Sequence, residues 1–284
     1  MTVRHFFTVD VEEHFQVSAF EGVVCRDDWS RLESRVGRNV DVLLEILARH
    51  GVCGTFFTLG WIAEHRPEVV RTIAAAGHEV ASHGYGHQRL TRLTPAEFRD
   101  DVRRAKRLLE DVAGTEVVGY RAPSFSIVPG GEWAFDVLIE EGYRYDSSLF
   151  PVRRSRFYGY PGTPTVPHWI NRPSGKLLEL PMAVLRLWGQ NIPAAGGAYL
   201  RILPYWVTSR ALNELGRRGV QGMFYLHPWE LDPEQPRIRG SLTSRLRHYT
   251  GLRRTEPRIE GLLRAFPFTA VADQLELLPV GTSA

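Results

Sequence analysis

The sequence predicts an α/β fold built on a parallel sheet, in the manner of a (β/α) barrel. Three observations carry this reading. Over the first 150 residues, short apolar runs of strand character alternate with amphipathic stretches of helical period. The connections carry helix stop and start signals, such as Gly51 and Gly77 after helical stretches and Thr94-Pro95 before one. Neither an internal repeat nor a flexible linker interrupts the pattern, so a single elaborated domain over residues 1–284 is expected.

The elements follow in order. RHFFTVD reads as a strand, and RNVDVLLEILARHG carries helical spacing through Val40, Leu43, Leu44 and Leu47. CGTFFTLG is a second strand, RPEVVRTIAAAG a helix, and HEVAS a third strand. TPAEFRDDVRRAKRLLEDVAG opens with Thr94 as N-cap, Pro95 at the first position and Glu97 at the third, a capping box. VVGYRAPSF is a strand with its exit loop, GEWAFDVLIEEG a helix and YRYDSS a strand end. Strands alternating with helices imply helical crossovers over a parallel sheet. From about Phe150 the pattern changes to an elaboration rich in Pro, Gly and aromatics, with SRFYGYPGTPTVPHWINRPSGK read as irregular. LLELPMAV and GMFYLHPWEL are strand-like, YWVTSRALNELGRRG helical, and FPFTAVADQLELL a last strand and helix.

Composition narrows the class. A 43% hydrophobic and 11% aromatic chain supports a buried core rather than disorder. Net charge is +3, and Lys106 and Lys176 are the only lysines; the arginines mostly sit beside acids, as on solvated helix faces. No basic stripe marks a nucleic-acid track. No run reaches 18 apolar residues, so no integral membrane segment is expected. The apolar run at the N-terminus is too short for a signal peptide, being broken by Asp10, Glu12 and Glu13. Cys25 and Cys53 lack metal-type spacing, Cys53 reads as a small buried hydrophobe, and a reducing, cytoplasmic setting is the expectation.

SHGYGHQ places His83 and His87 four apart with Gly84 and Gly86 between or beside them. The glycines argue against a helix, so both rings sit on a loop after a strand, as metal ligands or as a surface pair. In a parallel barrel, functional groups gather at the C-terminal ends of strands. Asp10, Glu12 and Glu13 end the first, His83 and His87 the third, Arg121 and Pro123 the fourth, Asp146 the fifth, and His227 a late one. His78 falls on the opposite strand face from His83 and is set aside.

The ordered set TVDVEEHF, SHGYGHQ, YRAPSF, YDSSLF and FYLHP resembles the five motifs of the NodB-type polysaccharide deacetylases, carbohydrate esterase family four, over roughly residues 1 to 230. The Phe150-onward elaboration and GGAYLRILPY resemble the deacetylases found near exosortase (PEP-CTERM) and exopolysaccharide loci. The resemblance implies a distorted (β/α) barrel of about seven parallel strands and a metal-dependent hydrolase. It would remove N-acetyl groups from an N-acetylated oligo- or polysaccharide or its lipid-linked precursor.

The resemblance places the catalytic base on Asp10 and the metal ligands on Glu12, His83 and His87. The usual adjacent aspartates are replaced by an acid-x-acid motif, and Glu13 stays a rival ligand. Two imidazoles and one carboxylate suit a divalent ion, Zn2+ first. Arg121 would hold Asp10, His227 would protonate the leaving amine, and Asp146 would orient His227. Arg121 read alone is also a surface ion pair, Asp146 a helix cap and His227 a turn residue. Tyr120, Pro123 and Trp229 are taken as substrate contacts. The remaining aromatics, among them Trp169, Trp188, Tyr199 and Trp206, count mostly as core. A hydrolase of another carbon–nitrogen bond (cyclic imide or formamide) is the alternative on the same fold. A non-catalytic carbohydrate-binding barrel is the alternative of another class.

Overall fold

The computed structural model describes residues 3–153, 155 and 157–278. Strands β1 (His5–Val11), β2 (Thr55–Thr58), β3 (Glu79–Ser82), β4 (Gly119–Tyr120) and β5 (Tyr145–Asp146) lie side by side in chain order. After β6 (His168–Arg172), the next strand, β7 (Gly175–Glu179), joins β5 in parallel, and β6 folds back antiparallel at the edge. The hairpin β8 (Val184–Leu187) and β9 (Gln190–Pro193) stands apart, and β10 (Met223–Leu226) runs parallel along the other side of β1. From β10 through β1 to β7, seven parallel strands are therefore contiguous. A two-residue β11 (Phe268–Thr269) pairs with the start of β1.

The free edge of β10 is met by Met182 and Gly196, which bridge in parallel to Met223 and Tyr225. This closes the sheet only in part and makes the barrel distorted. Gly196 is required there: a Cβ would lie 1.9 Å from the Tyr225 carbonyl oxygen.

Helices α1 (Val36–His50), α2 (Gly60–His65), α3 (Pro67–Ala75), α4 (Pro95–Ala113) and α5 (Trp133–Glu140) cover the outside of the first five strands. The capping box of α4 forms as expected, Thr94 Oγ1 accepting the Glu97 N–H and Glu97 Oε2 accepting the Thr94 N–H. Beyond β5 come α6 (Ala198–Ile202), α7 (Trp206–Arg217), α8 (Leu242–Tyr249) and α9 (Thr255–Ala265).

Strand alternation sorts the core into two layers. Phe7, Val9, Val11, Phe56, Val80, Phe224 and Leu226 pack outward against the helices. Phe6, Phe57, Ala81, Tyr145, Leu178, Met223 and Tyr225 fill the barrel. All seven residues of β1 are buried, as a strand covered on both faces demands.

Several expectations need correction. The stretch read as irregular contains β6 and the start of β7, and LLELPMAV is divided between β7 and β8. The tail forms a two-residue strand and a 3₁₀ turn (Leu275–Leu277) instead of a strand and helix. Cys53 is exposed, preceding β2 rather than lying within it. Trp188 is 93% exposed at the β8–β9 turn, and Trp206 is also exposed. No helix of the described residues is long and apolar enough to cross a membrane.

Candidate active site

Alternation that places Phe6 inside the barrel also carries Thr8 and Asp10 inward, with Glu12 just beyond the strand. The same rule takes His83 past Ala81, Arg121 past outward Tyr120, and His227 past Tyr225. These side chains meet at one mouth of the barrel, in a cleft of about 730 Å³ that Asp10, Glu12, His83, His87 and His227 help to line. His87 reaches it from a loop, in a left-handed conformation with φ 50°.

Ligand atoms of Glu12, His83 and His87 all lie within 4.8 Å of one another, and all three residues are buried. His83 Nδ1 donates to the Arg121 carbonyl oxygen at 2.8 Å, which leaves Nε2 as a free acceptor. Burial, and then the neighbouring His87, push the His83 imidazole well below its usual range, so it stays neutral. Glu12 Oε2 touches His87 Nε2 at 2.7 Å without the alignment of a hydrogen bond, and both Glu12 Oε2 and His87 Nδ1 are buried without partners. Burial favours a protonated Glu12, but His87 and His227 overcome it and hold the carboxyl below its ordinary value. Two neutral-capable imidazoles and one carboxylate with orphaned lone pairs form a donor set that fits a divalent cation.

Glu13 is engaged elsewhere. Its carboxylate accepts the Arg35 N–H at 3.0 Å, the Val36 N–H at 3.3 Å and the Ser34 hydroxyl, capping the start of α1.

Arg121 is wholly buried rather than on the surface. Its guanidinium donates to Asp10 Oδ1 at 2.6 Å, to Thr8 Oγ1 at 2.9 Å and to the Ser147 carbonyl oxygen at 3.2 Å, over the face of Phe57. Asp10 is thereby fixed, with Oδ2 4.0 Å from His227 Nε2. The same His227 nitrogen lies 3.5 Å from Glu12 Oε1.

The carboxylate that orients His227 is Glu230, and this corrects the assignment to Asp146. His227 Nδ1 bonds to Glu230 Oε1 at 2.7 Å, and buried Arg201 donates to Glu230 Oε2. Burial alone would raise Glu230, yet Arg201 and His227 pull it down to about 2. Burial likewise opposes a charged His227, but Glu12 and Glu230 raise it above its ordinary value. Asp146 follows inward Tyr145 and so faces outward, where it accepts the Ser148 hydroxyl at 2.6 Å beside its register partner Glu179. The i+3 spacing of His227 and Glu230 was visible in HPWE; Arg201, 29 residues away, had no sequence signal.

The substrate contacts also change. Tyr120 points outward into the core against Phe98 and Tyr143, and Pro123 is buried; neither lines the cleft. Trp229 lines it, its ring stacked on His227 (4.9 Å) and on His248 (4.0 Å), and its N–H donates to Glu12 Oε1 at 3.2 Å. His78 sits at the opposite end of β3, accepting the Gly54 N–H at 3.0 Å.

Residues 27–129 match the family model for polysaccharide deacetylase, and residues 147–276 match a domain of unknown function (DUF3473). The first span holds His83, His87 and Arg121, and the second holds Arg201, His227 and Glu230, while Asp10 and Glu12 precede both. A chitooligosaccharide deacetylase of Bradyrhizobium sp. (strain ANU 289) is 36% identical over 96 residues, 34% of this chain and 42% of the relative. A peptidoglycan deacetylase of Helicobacter pylori (strain ATCC 700392 / 26695) is 30% identical over 137 residues, 47% of this chain and 44% of the relative. The chain thus spans less than half the length of these curated relatives. A crystal structure from Mycobacterium smegmatis, of a protein designated a polysaccharide deacetylase, shares the fold with TM-score 0.63 and 24% identity, covering 100% of this chain and 94% of the other. Residues 27–129 are thus similar to the polysaccharide deacetylase family, and the likeness to the solved structure shows a shared fold.

Proposed function

We propose that this protein removes N-acetyl groups from an N-acetylated sugar polymer or its lipid-linked precursor, using a divalent metal, Zn2+ first. One observation carries the proposal. An Arg121-held Asp10 and a Glu230-held His227 flank the Glu12, His83 and His87 donor set in one cleft. A base, an acid and a Lewis-acid site are the parts that amide hydrolysis requires. The names of the chitooligosaccharide and peptidoglycan deacetylases among the relatives support the substrate class.

Glu12, His83 and His87 would hold the metal, which when bound supplies the charge that polarises the acetyl carbonyl. Asp10 accepts the proton of the attacking water at its Oδ2, the oxygen left free by Arg121. His227 gives a proton from Nε2 to the departing amine, its Nδ1 being tied to Glu230. The raised proton affinity of His227 suits an acid that must be charged when the carbon–nitrogen bond breaks. The likeness of the elaboration to deacetylases near exosortase loci supports a place in exopolysaccharide synthesis. Two free cysteines support a reducing compartment.

The test is acetate release from N-acetylglucosamine oligomers by the purified chain, before chelation, after it, and after return of zinc. Release that chelation abolishes and zinc restores is expected. Turnover of cyclic imides or formamides alone would move the chain to another carbon–nitrogen hydrolase, and binding without turnover would make it a lectin-like barrel.

A further inference from the structure

Three arginines line the cleft: Arg92, Arg201 and Arg247. Arg92 pairs with Glu21 at 3.1 Å, and Arg201 with Glu230. Arg247 makes no ion pair with a carboxylate of the described residues, and its side chain is hydrogen-bonded to the Tyr158 hydroxyl. Its guanidinium lies 5.7 Å from the Tyr158 ring centroid, and the Tyr158 and Tyr199 hydroxyls bond to each other. Arg201 donates to the Arg247 carbonyl oxygen at 3.2 Å, so the backbone beneath this side chain is anchored to the same buried guanidinium that holds Glu230.

This places a solvent-exposed cation with no carboxylate partner among the described residues on one wall of a cleft that Asp10 and Glu12 also line. Tyr225 lines the same cleft, and its ring is 5.6 Å from that of His227. A ligand group that matches a planar guanidinium is a carboxylate or a phosphate. An anionic group drawn to Arg247 would set the direction of a saccharide in the cleft. Neighbouring Ser241, Thr243 and Ser244 line the same cleft, their hydroxyls bonded to one another at the start of α8.

We infer that Arg247 is a specificity-determining residue that binds an anionic substituent, carboxylate or phosphate, on a sugar adjoining the one that is deacetylated. The inference rests on the deacetylase reading for the saccharide and on the cleft alone for the anion. Calorimetry on the full chain tests it, using three N-acetylglucosamine oligosaccharides of equal length: a neutral one, one with a uronic acid and one with a terminal phosphate. The wild type binds at least one acidic ligand about tenfold or more tighter than the neutral one at low salt. Arg247→Met removes that preference and leaves neutral binding within about twofold, and Arg247→Lys keeps part of it. Equal binding of all three ligands by the wild type, or a loss in Arg247→Met shared by neutral and acidic ligands, overturns it. If no ligand releases acetate while the anion preference stands, the deacetylase reading fails and the subsite survives.

Discussion

His227 draws its proton affinity from carboxylates, and Glu230 is bonded to it while Asp146 is not. Removing the Glu230 charge weakens the imidazolium, so Glu230→Gln should move the alkaline limb of the kcat/KM profile to lower pH, by on the order of one unit. Asp146→Asn should leave that limb in place. A pH–rate series on the two variants checks this, and the opposite pattern would return the orienting role to Asp146. The residue-level signal in the sequence was good wherever alternation along a strand applied. Asp10, His83, Arg121 and His227 all lie on the inward face that period two gives them. Asp146 failed by the same rule, one residue out of phase with inward Tyr145. Tyr120 is likewise out of phase beside Arg121, whereas Trp229 lines the cleft.

Helix α1 begins on a carboxylate supplied from β1's exit loop, a contact 22 residues long in sequence that no local cap motif announces. Glu13→Ala should therefore cost about 1–2 kcal/mol of stability, as loss of a helix cap does, and keep the bound metal. Glu12→Gln should do the reverse, weakening metal with a smaller effect on stability. Denaturant unfolding and elemental analysis on both variants separate the two acids. The capping box of α4 was legible because all its parts lie within four residues. The β6–β7 hairpin was hidden because β6 is half-exposed along its length and shows no contrast between faces.

Across the whole molecule, two family spans contribute strands to one sheet and residues to one cleft, so the site exists only when the full sheet is assembled. That assembly also buries Asp146 against Glu179 on adjacent strands. Burial raises Asp146 from 3.8 to about 6, and burial together with Asp146 raises Glu179 well above 4.5. The folded chain therefore keeps protons that the unfolded chain has released, and stability falls as pH rises from about 4 through 6 and beyond. Glu179→Gln, whose amide donates permanently, should flatten this decline in a series of melting temperatures against pH. An unchanged slope would show the pair to be ionised without cost. The parallel α/β architecture is legible from alternating period, and the count of about seven parallel strands follows from the family resemblance, whereas α8, which lines the cleft, lies in a segment without a resolved pattern. The central claim is that Glu12, His83 and His87 form a metal site between a base and an acid, and metal content of purified variants tests it most directly. His83→Ala and His87→Ala should lose the metal that the wild type and His78→Ala retain. Full occupancy in both ligand variants would contradict the account.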